Sequence, residues 1–193
     1  EALKAGRTIE QFGAKRLADA PWELSLLARI DEGMKNGDIW LAYQPQWDYR
    51  ASRISGAEAL VRWNDPVRGP IRPDAFIVQA EKAGRIDALT YWVIEEAITA
   101  TQAMASILPG FQMSINLSAQ LVDKPSLLSS ISESVRRMGI DCRHFTIEVT
   151  ETAAVYNRPA AVQNLQQLRA MGFRLAIDDF GTGESSLLYL AEL

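Results

Sequence analysis

The feature that most constrains the fold of this chain is an alternation. Short runs rich in β-branched and aromatic residues take turns with longer runs spaced for helices. The strand-like runs cover residues 39–47, 53–63, 111–118, 145–151 and 174–180. Between and after them, residues 73–83, 87–107, 124–138 and 158–171 read as helices, with a last one beginning near Ser185. Residues 21–36 form an earlier helical run, with Pro21 in its first turn, Leu24, Leu27, Ala28 and Met34 at helical spacing, and Gly37 as its stop. Asp123 and Asn157, each with a proline two residues on, are expected N-caps, and Gly139 and Gly172 expected stops. Strands that alternate with helices in this way lie parallel under a helical cover, which makes the fold class α/β.

Size and composition limit the rest. A chain of 193 residues, 48% of them hydrophobic, suffices for one domain with a sizeable core. Residues 1–20 lack an apolar stripe and read as a leader or linker, and residues 21–193 as the domain. No apolar run approaches the roughly 18 residues that cross a bilayer, and no signal peptide opens the chain, so no membrane contact is expected of it. A single cysteine, Cys142, excludes an internal disulfide and fits a reducing, cytoplasmic setting, although a parent protein could be anchored in a membrane. With one histidine, His144, there is no His/Cys set for zinc. The net charge of −4 argues against binding polymeric nucleic acid, but a local arginine or a bound cation can still hold the phosphates of a small nucleotide.

Oxygen-bearing side chains recur at matching places in successive strands: Glu58 in the second, Asn116 near the end of the third, Glu148 late in the fourth, Asp178 and Asp179 at the end of the fifth. The steps from Asn116 to Glu148 and from Glu148 to Asp178 are 32 and 30 residues, each about one β–α unit. The step from Glu58 is longer because two helices intervene. Period two puts Glu148 opposite Ile147 and Val149, and Asp178 opposite Leu175 and Ile177, while Glu58, Leu60 and Arg62 share one face. Any single strand glutamate is most often solvated or salt-bridged. Several converging on covered strands would be buried and would repel one another, which a hard divalent cation resolves; all-oxygen ligands favour magnesium or manganese.

The strings around these residues resemble the EAL domain family from about Trp40 to Leu193. They are Tyr43-Gln44-Pro45, Gly56 through Trp63 with its Glu58-Ala59-Leu60, Pro73-Asp74-Ala75-Phe76-Ile77 through Ala80-Glu81, Asn116-Leu117-Ser118, Glu148-Val149-Thr150-Glu151, and Asp178 through Gly183. The resemblance implies a modified (β/α)8, TIM-like barrel whose first strand runs against the others. It also implies a two-metal hydrolysis, with Mg2+ or Mn2+, of one phosphodiester bond of cyclic di-GMP to give linear pGpG. Carried over, Glu58, Asn116, Glu148 and Asp178 are metal ligands, and Asp179 holds the second metal or its water. Gln44, Leu60 and Arg62 contact the substrate, and Glu151 braces the loop 179–186, which the family links to homodimer contacts. Glu58, Glu148, Asp178 and Asp179 form the catalytic set.

The sequence departs from the family in two ways. Glu184 stands where tyrosine is usual, and only about five of the eight strands are counted before Leu193. The stretch beyond would carry the family's catalytic lysine, a further ligand glutamate and a late glutamine. This reading expects either a truncated portion of a longer chain or completion of the barrel by a second chain. Lys4 to Arg7 and Phe12 weakly resemble the close of a GGDEF domain, so a GGDEF–EAL tandem is one expectation and a plain linker the other. Trp22, Trp40, Trp47 and Trp92 read as core or interface packing rather than base-stacking platforms, Trp63 is open, Cys142 and His144 read as structural or exposed, and Met104 and Met113 as packing. Against the enzyme stands a degenerate EAL domain that receives cyclic di-GMP or a partner protein without cutting, and, more weakly, a dimerisation scaffold.

Overall fold

In the computed structural model the described residues are 28–150 and 159–178. Residues 28–36 are helical (α1), and Gly37 ends the helix at φ +79°. A long hairpin follows, β1 (Ile39–Asp48) and β2 (Arg53–Asp65), and then a short strand, β3 (Gly69–Ile71). Next come α2 (Pro73–Lys82), α3 (Ile86–Ala105), β4 (Gln112–Leu117), α4 (Pro125–Met138), β5 (Phe145–Thr150), α5 (Pro159–Ala170) and β6 (Arg174–Asp178). The five anticipated strands and the helices between them are all present. β3 was not anticipated. Its three residues include Gly69 and Pro70, which give no strand signal, and it exists by pairing with the end of β2.

The sheet runs in the order β1-β2-β4-β5-β6, with β3 beside β2. β2, β4, β5 and β6 are mutually parallel, and β1 is antiparallel to β2. The reversed first strand expected from the resemblance is therefore observed. Strand parity then sorts the residues. Paired Cα atoms send their side chains to the same face, and odd-numbered residues of the parallel strands form one face: Ala57, Ala59 and Trp63 in β2, Met113, Ile115 and Leu117 in β4, and Phe145, Ile147 and Val149 in β5, all buried. α3 packs on this face against β1, β2 and β4, and α4 lies between α3 and α5. Trp63 joins this core edge-on to Phe76 of α2, with ring centroids 5.4 Å apart. Even-numbered residues, from Gln44 to Asp178, make the other face.

Helix ends correct one expectation. α4 starts at Pro125 with Lys124, not Asp123, at its N-cap, and no side chain caps it. The residue before a proline is driven to extended backbone, and Lys124 sits at φ −80°, ψ 129°; its ammonium instead pairs with Asp87 of α3 at 2.7 Å. Gly139 stops α4 in the left-handed region at φ +64°, as expected. Asn157 lies outside the described residues. Trp40 and Trp47, read as packing residues, are 47% and 52% exposed and take no part in the described core. Both sit on β1, at the end of the strand order. Trp92 is half-buried against the core, Met113 is within it and Met104 packs against it. His144 is structural: its Nδ1 lies 2.8 Å from the carbonyl oxygen of Phe111, in a turn with the half-buried Cys142. Trp22, Glu151, Asp179, Glu184, the loop 179–186 and residues 1–20 lie outside the described residues.

Candidate functional site

Strand register decides which polar side chains of the even face become neighbours. Gln44 of β1 pairs with Glu58 of β2, and Glu58 with Ser114 of β4. One step toward the carboxyl ends, Asn116 pairs with Glu148 of β5. A further step on, Thr150 pairs with Asp178 of β6. The acidic and amide residues therefore climb the sheet as a staircase, two residues or about 6.6 Å per step, in the sense that the stagger of a barrel requires. Leu60 and Arg62 continue the Glu58 row along β2.

The staircase is held by specific contacts. Asn116 Nδ2 donates to Glu58 Oε1 at 2.7 Å, which fixes that carboxylate and leaves the amide oxygen of Asn116 turned elsewhere. Ser114 lies beneath, 3% exposed, and accepts a hydrogen bond from Gln46 Nε2 at 3.3 Å. Burial pushes the Glu148 carboxyl above its usual range; a hydrogen bond with Ser114 opposes this, while the charges of Glu58 and Asp178 add to it. Arg62 donates one guanidinium N–H to the carbonyl of Val61 at 2.9 Å, one of its five donors. Beyond β4, Ser118 donates to Glu81 of α2 at 2.7 Å, tying the Asn116-Leu117-Ser118 string to the helix whose own string carries Glu81. The buried Asn164 of α5 donates to the Val122 carbonyl at 2.8 Å and so pins the loop after β4.

Two expectations change in detail. The carboxylate-bearing strands were expected to be covered on both faces. Instead Glu58 and Glu148 are half-buried, while Asn116 and Asp178 are exposed, because the described helices that pack on the sheet meet its odd face. The convergence is also looser than expected: among the described residues, no three acidic, histidine or cysteine side chains are grouped to hold a metal ion. Glu58 and Asp178 lie three strands apart in the sheet, with Glu148 on the strand beside that of Asp178. The donor set still suits a hard divalent cation. Its donors are all oxygen, and burial, with a lesser part from the charges of Glu58 and Asp178, disfavours an anionic Glu148, which bound positive charge would relieve.

Sequence reasoning missed Ser114 and Gln46. Period two along Gln112-Met113-Ser114-Ile115-Asn116 already placed Ser114 on the face of Asn116, and Gln46 shares parity with Gln44. What hid them was attention to charged groups alone.

Comparison with known proteins agrees with this architecture. The chain is 36% identical over 186 residues to the bifunctional diguanylate cyclase/cyclic di-GMP phosphodiesterase MucR of Pseudomonas aeruginosa, covering 94% of this chain and 27% of that protein. It is 34% identical over 197 residues to the cyclic di-GMP phosphodiesterase NbdA of the same organism, covering all of this chain and 25% of that one. The chain thus spans about a quarter of the length of these curated relatives. A solved structure of the PaMucR phosphodiesterase in complex with c-di-GMP superposes with a TM-score of 0.81 at 35% identity, over 88% of this chain and 69% of that one. The FimX EAL domain of Pseudomonas aeruginosa bound to c-di-GMP shares the fold, with a TM-score of 0.74 at 21% identity over 87% of this chain and 67% of that one. The profile of the EAL domain matches residues 27–193, and with the antiparallel first strand and the motif residues in register on one face, the chain belongs to the EAL domain family.

Proposed function

We propose that this chain forms the ligand- and metal-holding strands of a cyclic di-GMP phosphodiesterase that hydrolyses one phosphodiester bond to give linear pGpG. The observation that carries the reading is the Asn116–Glu58 hydrogen bond, 2.7 Å long, made from two parallel strands at the foot of the acidic staircase. An amide that orients a carboxylate through its nitrogen keeps its own oxygen for a cation. In this reading Glu58, Asn116, Glu148 and Asp178, with Asp179, hold Mg2+ or Mn2+. When bound, a pair of such cations supplies a water of lowered pKa and offsets the charge that builds on the phosphate.

The chain's own residues do the rest. Asn116 keeps Glu58 from rotating. Arg62 brings fixed positive charge and unused planar donors to a phosphate or a guanine edge, Leu60 gives the ligand an apolar wall, and Gln44, level with Glu58 across the hairpin, offers an amide to the ligand. The relatives named as cyclic di-GMP phosphodiesterases support the substrate class. We place the chain in the cytoplasm, paired with a second copy through the EAL domain. No helix among the described residues is long and apolar enough to cross a membrane.

A second reading, a receptor that binds the nucleotide without cutting it, is favoured by one observation: among the described residues no three acidic, histidine or cysteine side chains are grouped to hold a metal ion. One comparison separates the two. The intact protein and its Glu58→Ala variant are incubated with cyclic di-GMP and Mg2+, and pGpG is measured by chromatography. The enzyme reading expects pGpG from the intact protein and at least a hundredfold less from the variant, as for loss of a ligand. Turnover by the variant equal to the parent's would defeat the ligand assignment, and binding without pGpG from the parent would establish the receptor.

A further inference from the structure

Trp40 stands on the same face of the hairpin as Gln44 and Glu58, and it is 47% exposed. The pattern of β1 puts it there. Ile39 and Leu41, on either side, are 1% and 8% exposed and belong to the core, so period two sends Trp40 to the opposite face. Across the hairpin Trp40 pairs with Arg62, and the next pairs along that face are Ala42 with Leu60 and Gln44 with Glu58. Side chains directly opposite in an antiparallel pair have Cβ atoms about 5 Å apart, so the indole and the Arg62 side chain are neighbours. Ala42, next to Trp40 on its own strand, carries only a methyl group and cannot cover the ring. Trp63 of the same hairpin shows what a packing tryptophan looks like in this fold: it is 3% exposed and set edge-on against Phe76. An apolar covering partner fits Trp40 poorly, because it would also bury Arg62, Gln44 and Glu58 and leave polar groups to be satisfied. A nucleotide fits better. Every base has a π-face that stacks on an aromatic ring, and a guanidinium beside the ring can hold a phosphate or a base edge.

We propose that Trp40 is a stacking platform for one guanine base of cyclic di-GMP, at the end of a ligand row that runs from Gln44 and Glu58 past Leu60 to Arg62. This rests on the reading of the chain as a cyclic di-GMP-binding domain. A base held this way, away from the acidic staircase, is bound equally before and during the reaction, so losing the platform raises KM and leaves kcat in place. That split separates stacking from a role in the chemistry, and a platform facing solvent separates it from packing, because its removal leaves the unliganded fold as stable as before.

The test uses the intact protein and its Trp40→Ala and Trp40→Phe variants. Binding of cyclic di-GMP is measured by calorimetry in EDTA, kcat and KM are measured with Mn2+, and each melting temperature is recorded without nucleotide. Trp40→Ala is expected to weaken binding about tenfold and to raise KM by a similar factor, with kcat within about twofold of the parent's. Trp40→Phe, which keeps a π-face, stays within about threefold of the parent in both, and the three proteins melt together. Unchanged affinity and KM in Trp40→Ala, beside a parent that binds or cuts the nucleotide, overturn the platform and leave the proposed function standing. So does a loss shared equally by the alanine and phenylalanine variants with a matching fall in melting temperature, since that marks packing against another part of the chain or a second copy. A parent that neither binds cyclic di-GMP nor yields pGpG overturns both.

Discussion

Replacing Asn116 by aspartate changes one atom of the 2.7 Å contact with Glu58, from a donor nitrogen to a charged oxygen. Without metal, the variant loses a hydrogen bond to a charged group and gains a like-charge neighbour. Two unit charges about 4 Å apart repel by about 4 kcal/mol at an effective dielectric of 20 and by about 1 kcal/mol in water. Asn116 is exposed and Glu58 half-buried, so the lower half of that range applies, and the lost bond adds about 1 kcal/mol after competition from water. The net cost is about 2 kcal/mol, which for a domain of this size lowers the melting temperature by about 4–8 °C. With Mn2+ present the sign turns. The new carboxylate supplies an oxygen in place of the amide oxygen and adds negative charge to the set, so the cation binds the variant more tightly. Each tenfold gain in affinity at saturating metal returns about 1.4 kcal/mol to the folded state. Melting curves in EDTA and in 1 mM MnCl2 decide the matter: the rise produced by Mn2+ must be larger in Asn116→Asp than in the parent. An equal fall in both buffers would refute the reasoning, because it would make the Asn116–Glu58 pair an ordinary surface hydrogen bond.

Two further outcomes follow from single residues near the site. Asp65 ends β2 with its side chain fully buried, paired with Arg29 at 2.7 Å and accepting from the backbone N–H groups of Val67 and Arg68 at 2.8 and 2.9 Å. Burial alone would raise its carboxyl, but those N–H groups and the Arg29 charge outweigh burial and hold it below the usual range. A depressed carboxyl contributes stability that is full above its unfolded value of about 3.9 and is lost as pH falls through the folded one. Asp65→Asn should therefore cost about 2 kcal/mol at pH 7, discounted from the buried-pair range because Arg29 keeps access to water. The gap in urea midpoints between parent and variant should narrow below pH 4, and a gap unchanged at pH 3 contradicts the assignment. Gly56→Ala would set a Cβ 2.3 Å from the backbone oxygen of Gln112. β2 and β4 must then part, at about 1–3 kcal/mol, and because Glu58 lies two residues on, urea denaturation should show the cost and Mn2+ calorimetry a weaker site. A variant as stable as the parent would show that the two strands are not held at this spacing.

Much of the fold was legible because parallel strands under helices leave a strong mark: Ile147 and Val149 alternate with Glu148, and glycines stand where α1, α4 and α5 stop. β3 was not, since pairing with β2 decides its conformation rather than any propensity of Gly69-Pro70-Ile71. Asp123 failed as a cap because the backbone demand of Pro125 falls on Lys124. In the site, the strand and face of Glu58, Asn116, Glu148 and Asp178 followed from parity. Their relative heights did not, because register is set by pairing across strands and leaves no trace in a single strand's sequence. Neither did the contact of Gln46 with Ser114, made over the gap at Gly56 between residues 68 apart in sequence.

Parity also separates folding from chemistry in this sheet. Odd residues such as Met113, Ile115 and Ile147 carry the core, so shortening them removes buried apolar surface and lowers stability. Even residues such as Gln44, Glu58, Asn116 and Asp178 project from the other face, where substitution alters charge and hydrogen bonding while leaving the packing of the helices intact. Ser114 crosses this division, because it belongs to the polar face by register and to the interior by burial. A polar group in such a place is stabilising only when its bonds are made. Gln46 Nε2 supplies such a bond at 3.3 Å from across β2, and so ties the end of the hairpin to the middle of the sheet.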